Sequence, residues 1–198
     1  MNTKPIPIPK IAMQVIAGGL LLMAFFTIMW SGIALGSLQG VGRIINLLVF
    51  WGSALAFIGY AIYFFRSVKR FQPVTTELEK AEGKKMGTAY GIIFGLEGIF
   101  IPVAVFICFQ LGKPELSLPA IALVVGLHFY PMARIFQRTL DYYLATWATL
   151  IAIGAIVLTL KHTILPVPVL AILGVGMAIT TTIYGINMIK IGVGYLKS

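Results

Sequence analysis

The stretch Met86–Gln110, MGTAYGIIFGLEGIFIPVAVFICFQ, decides the fold. Only one of its side chains is charged, that of Glu97. Crossing the hydrocarbon of a bilayer takes about 20 predominantly apolar residues in a helix, so this segment reads as a transmembrane span. The whole chain has the same character. Of its 198 residues, 59% are hydrophobic and 11% charged, and the mean hydropathy is +0.97. A soluble domain carries about 25% charged residues, and too few polar side chains remain here to cover a water-facing surface. The chain is therefore read as a polytopic membrane protein.

Working outward from Glu97, six spans emerge: 11–38, 44–65, 86–110, 118–136, 140–160 and 165–191, forming one all-α transmembrane domain. The separators GSLQGVGR, QLGKPELS and KHTILPVP supply glycine, proline and charge, as loops do. The fourth and fifth spans are divided only by QRTLD, which predicts a tight turn. The N-terminal apolar run to Leu38 is far longer than the core of a signal peptide, so it is expected to stay as a helix.

Six spans place both termini and the second and fourth loops on one side. That side then holds twelve of the fifteen lysines and arginines. Arg43, Lys113 and Lys161 are left for the other side. Basic loops remain cytoplasmic, so both termini are expected in the cytoplasm of a bacterial or archaeal cell, with the chain in the plasma (inner) membrane. The net charge of +9 is thereby accounted for by topology, and nucleic acid is not expected as a partner. The sizeable loop is the cytoplasmic linker 66–85, where Thr75 or Thr76 could cap a short helix with Glu77 and Glu79 in its first turn.

Within the third span, Gly87, Gly91, Gly95 and Gly98 recur on one slowly rotating stripe. Small-residue stripes let helix backbones approach closely in lipid. A neighbouring helix of the same chain is the expected partner, with a second copy, giving a homodimer, as the alternative. The glycines of GVGM and YGINMIKIGVG suggest another close contact on the last span, from a weaker pattern.

Two ionisable residues lie deep within spans: Glu97 on the third and His128 on the fourth. They stand at equal sequence distances on either side of the hairpin turn near Gly112 and Lys113, which puts them at similar depth. A charge at mid-bilayer costs about 3 kcal/mol or more unless it pairs, neutralises or meets water, so a meeting of the two is expected. Pro102 and Pro131 free the carbonyls of Gly98 and Leu127 near them. Tyr90, Tyr130, Asn187, Thr180 to Thr182 and Gln14 are further candidates for lining. Arg134 with Asp141 forms a candidate second, shallower pair.

Chemistry beyond this pair is sparse. Cys108 stands alone, so no internal disulfide or cysteine cluster exists, and a buried apolar role is expected for it. No HExxH, P-loop or GxSxG motif occurs, and a protein zinc site lacks ligands. No metal, cofactor or catalytic residue is expected. His162 reads as a solvated loop residue. The tryptophans and most tyrosines read as interface anchors and packing groups.

EGIFIP followed by VVGLHFYPMARIF resembles a motif of small bacterial multipass membrane proteins of uncharacterised activity, an EG…GLHFxPLA pattern. Met132 stands where that pattern has leucine. The resemblance covers about a quarter of the chain, Gly87 to Phe136. It implies that Glu97, Gly126, His128 and Pro131 belong together, and it carries no activity. Three functions follow as expectations. The first is a small transporter or proton-coupled permease, with a proton or small molecule as substrate. The second is a non-enzymatic scaffold or accessory subunit in which the pair and the glycines serve packing. The third is an intramembrane enzyme.

Overall fold

The computed structural model describes residues 10–71, 77–161 and 166–197. It is all-helical, without a strand among the described residues. The helices are α1 (Lys10–Leu35), α2 (Gly40–Asn46), α3 (Gly52–Ser67), α4 (Glu77–Gln110), α5 (Ser117–Phe136), α6 (Thr139–Leu160) and α7 (Pro166–Lys197). A π-helical turn, Leu47–Trp51, joins α2 to α3 without a break, so the two form one rod. Among the described residues, six helical segments are long and apolar enough to cross a membrane. Leu48, Leu55, Phe106, Phe109 and Leu150 are exposed on the outside of the bundle, which suits a surface wetted by lipid.

The loops are short where the sequence supplies the right residue. α4 ends in a Schellman-type cap: Gly112 takes φ +67°, and the Lys113 amide donates to the Cys108 carbonyl at 2.9 Å. The turn between α5 and α6 is as tight as QRTLD predicts. Gln137 adopts φ 51°, and the Arg138 amide donates to the Ala133 carbonyl at 3.2 Å.

Boundaries differ from expectation at several places: α1 ends at Leu35 rather than Leu38, and α7 continues to Lys197 rather than stopping at Ile191. The second rod begins at Gly40 rather than Ile44 and continues through a 3₁₀ turn to Arg70. Long basic side chains at a helix end reach outward to polar surroundings, so they need not stop it. The short helix expected in the linker is no separate element. From Glu77 it runs straight into the third span, because glutamate, lysine and alanine favour helix and no proline intervenes. Thr75, Thr76 and His162 lie outside the described residues.

α7 is the axis of the bundle. α1 and α3 cover one side of it, and α6 covers the other with α5 beyond. Together the helices form a row α4–α5–α6–α7–α1–α3, with α4 standing at one edge against α5 and the turn before it. Glycines seat α7. A Cβ on Gly174 would come within 2.6 Å of the Trp30 carbonyl oxygen and 2.7 Å of the Ala34 nitrogen on α1. The Phe57 and Phe64 rings of α3 fill the space beside Gly185 and Gly192. Fully buried Met13, Leu20, Trp30, Phe57, Phe64 and Leu173 make the core around this contact.

Among the described residues, the glycine ladder on α4 meets no other helix. Gly87, Gly91, Gly95 and Gly98 are exposed, and none would bring a Cβ within 4 Å of another group. The expected intramolecular partner is absent because α4 packs on α5 through a different face, that of Ile93, Glu97 and Cys108.

Candidate functional site

Glu97 and His128 meet across the α4–α5 hairpin. The helix ends fix their level. At the 1.5 Å rise of an α-helix, Glu97 lies about 20 Å before Gln110 and His128 about 17 Å after Ser117. Nδ1 of His128 stands 3.6 Å from Oε2 of Glu97, and the side chains are 12% and 8% exposed. That distance is within ion-pair range and just beyond hydrogen-bond reach, and neither atom has a hydrogen-bond partner.

Aromatic rings wall the imidazole. Phe129 stacks on it at 4.3 Å between centroids, and Phe94 of α4 meets it edge-on at 6.0 Å. The Phe129 ring in turn packs against Tyr184 of α7 at 5.7 Å. In such surroundings a net charge is expensive. The arrangements that avoid a net charge are Glu–COOH beside imidazole and carboxylate beside imidazolium. Those two arrangements differ by one proton transfer over a distance slightly longer than a hydrogen bond, and the titration belongs to the pair.

The other sequence candidates take separate places. Pro102 and Pro131 are exposed, although both helices continue through them. Tyr130 points its hydroxyl to α6, 3.0 Å from the Thr146 hydroxyl. Thr181 pairs with Thr27 of α1 at 2.8 Å, and Thr180 donates to the Gly176 carbonyl on its own helix. Gln14 is exposed and Asn187 half-buried. The Tyr90 side chain lies outside the described ones. Cys108 is buried, as expected.

Arg134 and Asp141 do not form the expected pair. Arg134 is exposed, whereas Asp141 is fully buried with both carboxyl oxygens unpartnered. The left-handed Gln137 turns the chain between them, and Arg138 is the cation whose charge acts on Asp141.

A second polar cluster, missed in the sequence, lies between α1 and α2. Buried Asn46 donates through Nδ2 to the Ser31 hydroxyl at 2.8 Å and to the Ser31 carbonyl at 3.2 Å. Its Oδ1 is unpartnered, as is Nε1 of neighbouring Trp30's indole. A signal was present in RIINLLVF, where Asn46 is a lone amide inside a span, but attention to ionisable residues passes over it. A cavity of about 130 Å³, lined by Pro114, Glu115, Leu118, Thr159 and Leu170, lies at the bundle end where α5 starts. Among the described residues no three histidine, cysteine or acidic side chains gather as metal ligands.

Comparison with protein-family models, with curated proteins and with solved structures finds no match. Function therefore rests on the residues themselves.

Proposed function

We propose that this protein is a small proton-coupled membrane transporter whose titrating centre is Glu97 with His128, the chain lying in a bacterial or archaeal inner membrane with both termini cytoplasmic. One observation carries the proposal. The carboxyl and the imidazole face each other at 3.6 Å, buried between two spanning helices, with neither facing atom hydrogen-bonded. A pair kept only to lock α4 on α5 would gain most from a closed hydrogen bond, because each unsatisfied buried group costs about 1–3 kcal/mol. An open pair with one exchangeable proton can instead take up a second proton or give one away as its surroundings change.

The test is proton flux in liposomes containing the full chain, followed by a lumenal pH dye under an imposed pH gradient. Wild-type protein is expected to carry protons, and Glu97→Gln and His128→Ala to abolish the flux while remaining folded. Equal flux in wild-type and variant liposomes overturns the reading.

A second reading, a scaffold or accessory subunit, is favoured by the uncovered glycine face of α4. Small-residue faces associate in lipid by close backbone contact, so another membrane helix, in a second copy or a different subunit, is the natural occupant. On this reading Gly95→Leu lowers oligomer mass in detergent and Glu97→Gln leaves it unchanged.

A further inference from the structure

Asp141 is the least solvent-exposed carboxyl among the described side chains. Its residue exposure is 0%, and neither Oδ1 nor Oδ2 accepts a hydrogen bond. It occupies the first turn of α6, the helix that Arg138 caps. Their i, i+3 relation puts the two side chains on neighbouring positions of the helix surface. Arg138 gives the carboxyl no hydrogen bond, although its charge acts there. Its guanidinium donates to the Tyr184 hydroxyl at 3.4 Å and lies 5.0 Å over the Phe136 ring. Other charged and titratable groups on the surrounding helices are placed differently. Arg134 and Lys190 are exposed, Tyr142 and Tyr143 are exposed, and Tyr130 engages Thr146.

We propose that Asp141 is a second proton-binding site, loaded while Arg138 rests on Tyr184 and emptied when Arg138 swings onto the carboxylate. A fully enclosed carboxyl without hydrogen bonds is compatible with its neutral, protonated form, since an unpaired buried carboxylate is among the costliest groups a protein can hold. The proton comes from water at the basic end of the bundle and returns there when the acid dissociates. The carboxylate left behind then has one cation within reach on its own turn. A bidentate arginine–carboxylate contact is stronger than the long arginine–tyrosine bond it replaces, so the two positions of Arg138 correspond to the two protonation states. Tyr184, the resting perch, packs on Phe129, which stacks on His128. The proposal stands on Asp141 and its neighbours and does not require the Glu97–His128 pair to transport anything.

The experiment is infrared spectroscopy of the full chain in lipid nanodiscs, following the C=O stretch of protonated carboxyl groups through a pH titration. Wild-type protein is expected to show a titrating component that Asp141→Asn removes and Glu97→Gln leaves in place. An unchanged titrating signal in Asp141→Asn overturns the proposal. Arg138→Gln supplies an independent measurement should Asp141→Asn fail to assemble. With its counter-charge gone, the component should persist to more alkaline pH by about one unit or more, the usual worth of a nearby opposite charge. A titration in Arg138→Gln that matches wild type equally overturns it. Loss of flux in Glu97→Gln with the Asp141 component intact would leave both proposals standing, and the two fail separately.

Discussion

Gly126 of α5 lies against Thr149 of α6 so closely that a Cβ on the glycine would sit 2.8 Å from the Thr149 backbone nitrogen and 2.9 Å from its hydroxyl oxygen. His128 follows closely along the same helix, so this contact fixes the strut that carries the imidazole. Gly126→Ala should push α5 from α6 and destabilise the protein by about 1–3 kcal/mol, the usual cost of overpacking. Gly95→Ala, on the open face of α4, should be neutral or mildly stabilising, since alanine is the better helix former by about 1 kcal/mol. Thermal unfolding of both variants in one detergent checks the contrast. Equal loss at the two positions would mean that α4 is covered in the assembled protein.

The Glu97–His128 contact should appear as an interaction energy. In a double-mutant cycle of Glu97→Gln, His128→Ala and the two together, the coupling is expected at about 0.5–3 kcal/mol, the range for residues in direct contact. Additive single effects in denaturation experiments would mean that the two groups do not sense each other.

Asn46 ties α2 to α1 through Ser31. Asn46→Ala removes both side-chain bonds and leaves the Ser31 hydroxyl without its donor, for an expected loss of about 1–3 kcal/mol. Ser31→Ala should cost less, because the Ser31 carbonyl still accepts from Asn46. Ranking the unfolding midpoints of the two variants tests this order.

Gln137 holds a left-handed backbone, which costs a residue with a Cβ about 1 kcal/mol. Gln137→Gly should relieve most of that and raise the unfolding temperature slightly, even though glycine is the more flexible residue when unfolded. Gln137→Val should lower it, since a β-branched side chain fits this region worst. Identical midpoints for the two variants would show that the turn does not limit stability.

Much of this structure was legible in the chain. Six helices long and apolar enough to span a membrane follow from local hydropathy, and the meeting of Glu97 with His128 follows from equal distances to one turn. What local spacing does not encode is which face each helix turns to its neighbours. The regular ladder Gly87–Gly91–Gly95–Gly98 looked like the principal contact and is uncovered. The sparser set on α7, Gly174, Gly185 and Gly192, receives the backbone of α1 and two aromatic rings of α3. These glycines share a face because Gly185 and Gly192 each follow Gly174 by close to a whole number of helical turns. Asp141 was misplaced for a similar reason. A tight turn with one left-handed torsion redirects everything after it, and proximity in sequence to Arg134 says nothing about where the carboxyl goes.

α4 is a single helix of 34 residues, about 50 Å long, held laterally by one neighbouring span. Glu97 sits about 30 Å along the axis from its start at Glu77. Pivoted at that carboxyl, the helix behaves as a lever: a tilt of about 5° displaces its first turn by roughly 2.6 Å, given the rise of an α-helix. A small rotation about Glu97 is thus geometrically magnified at the far tip, where the sequence carries its glutamates and lysines.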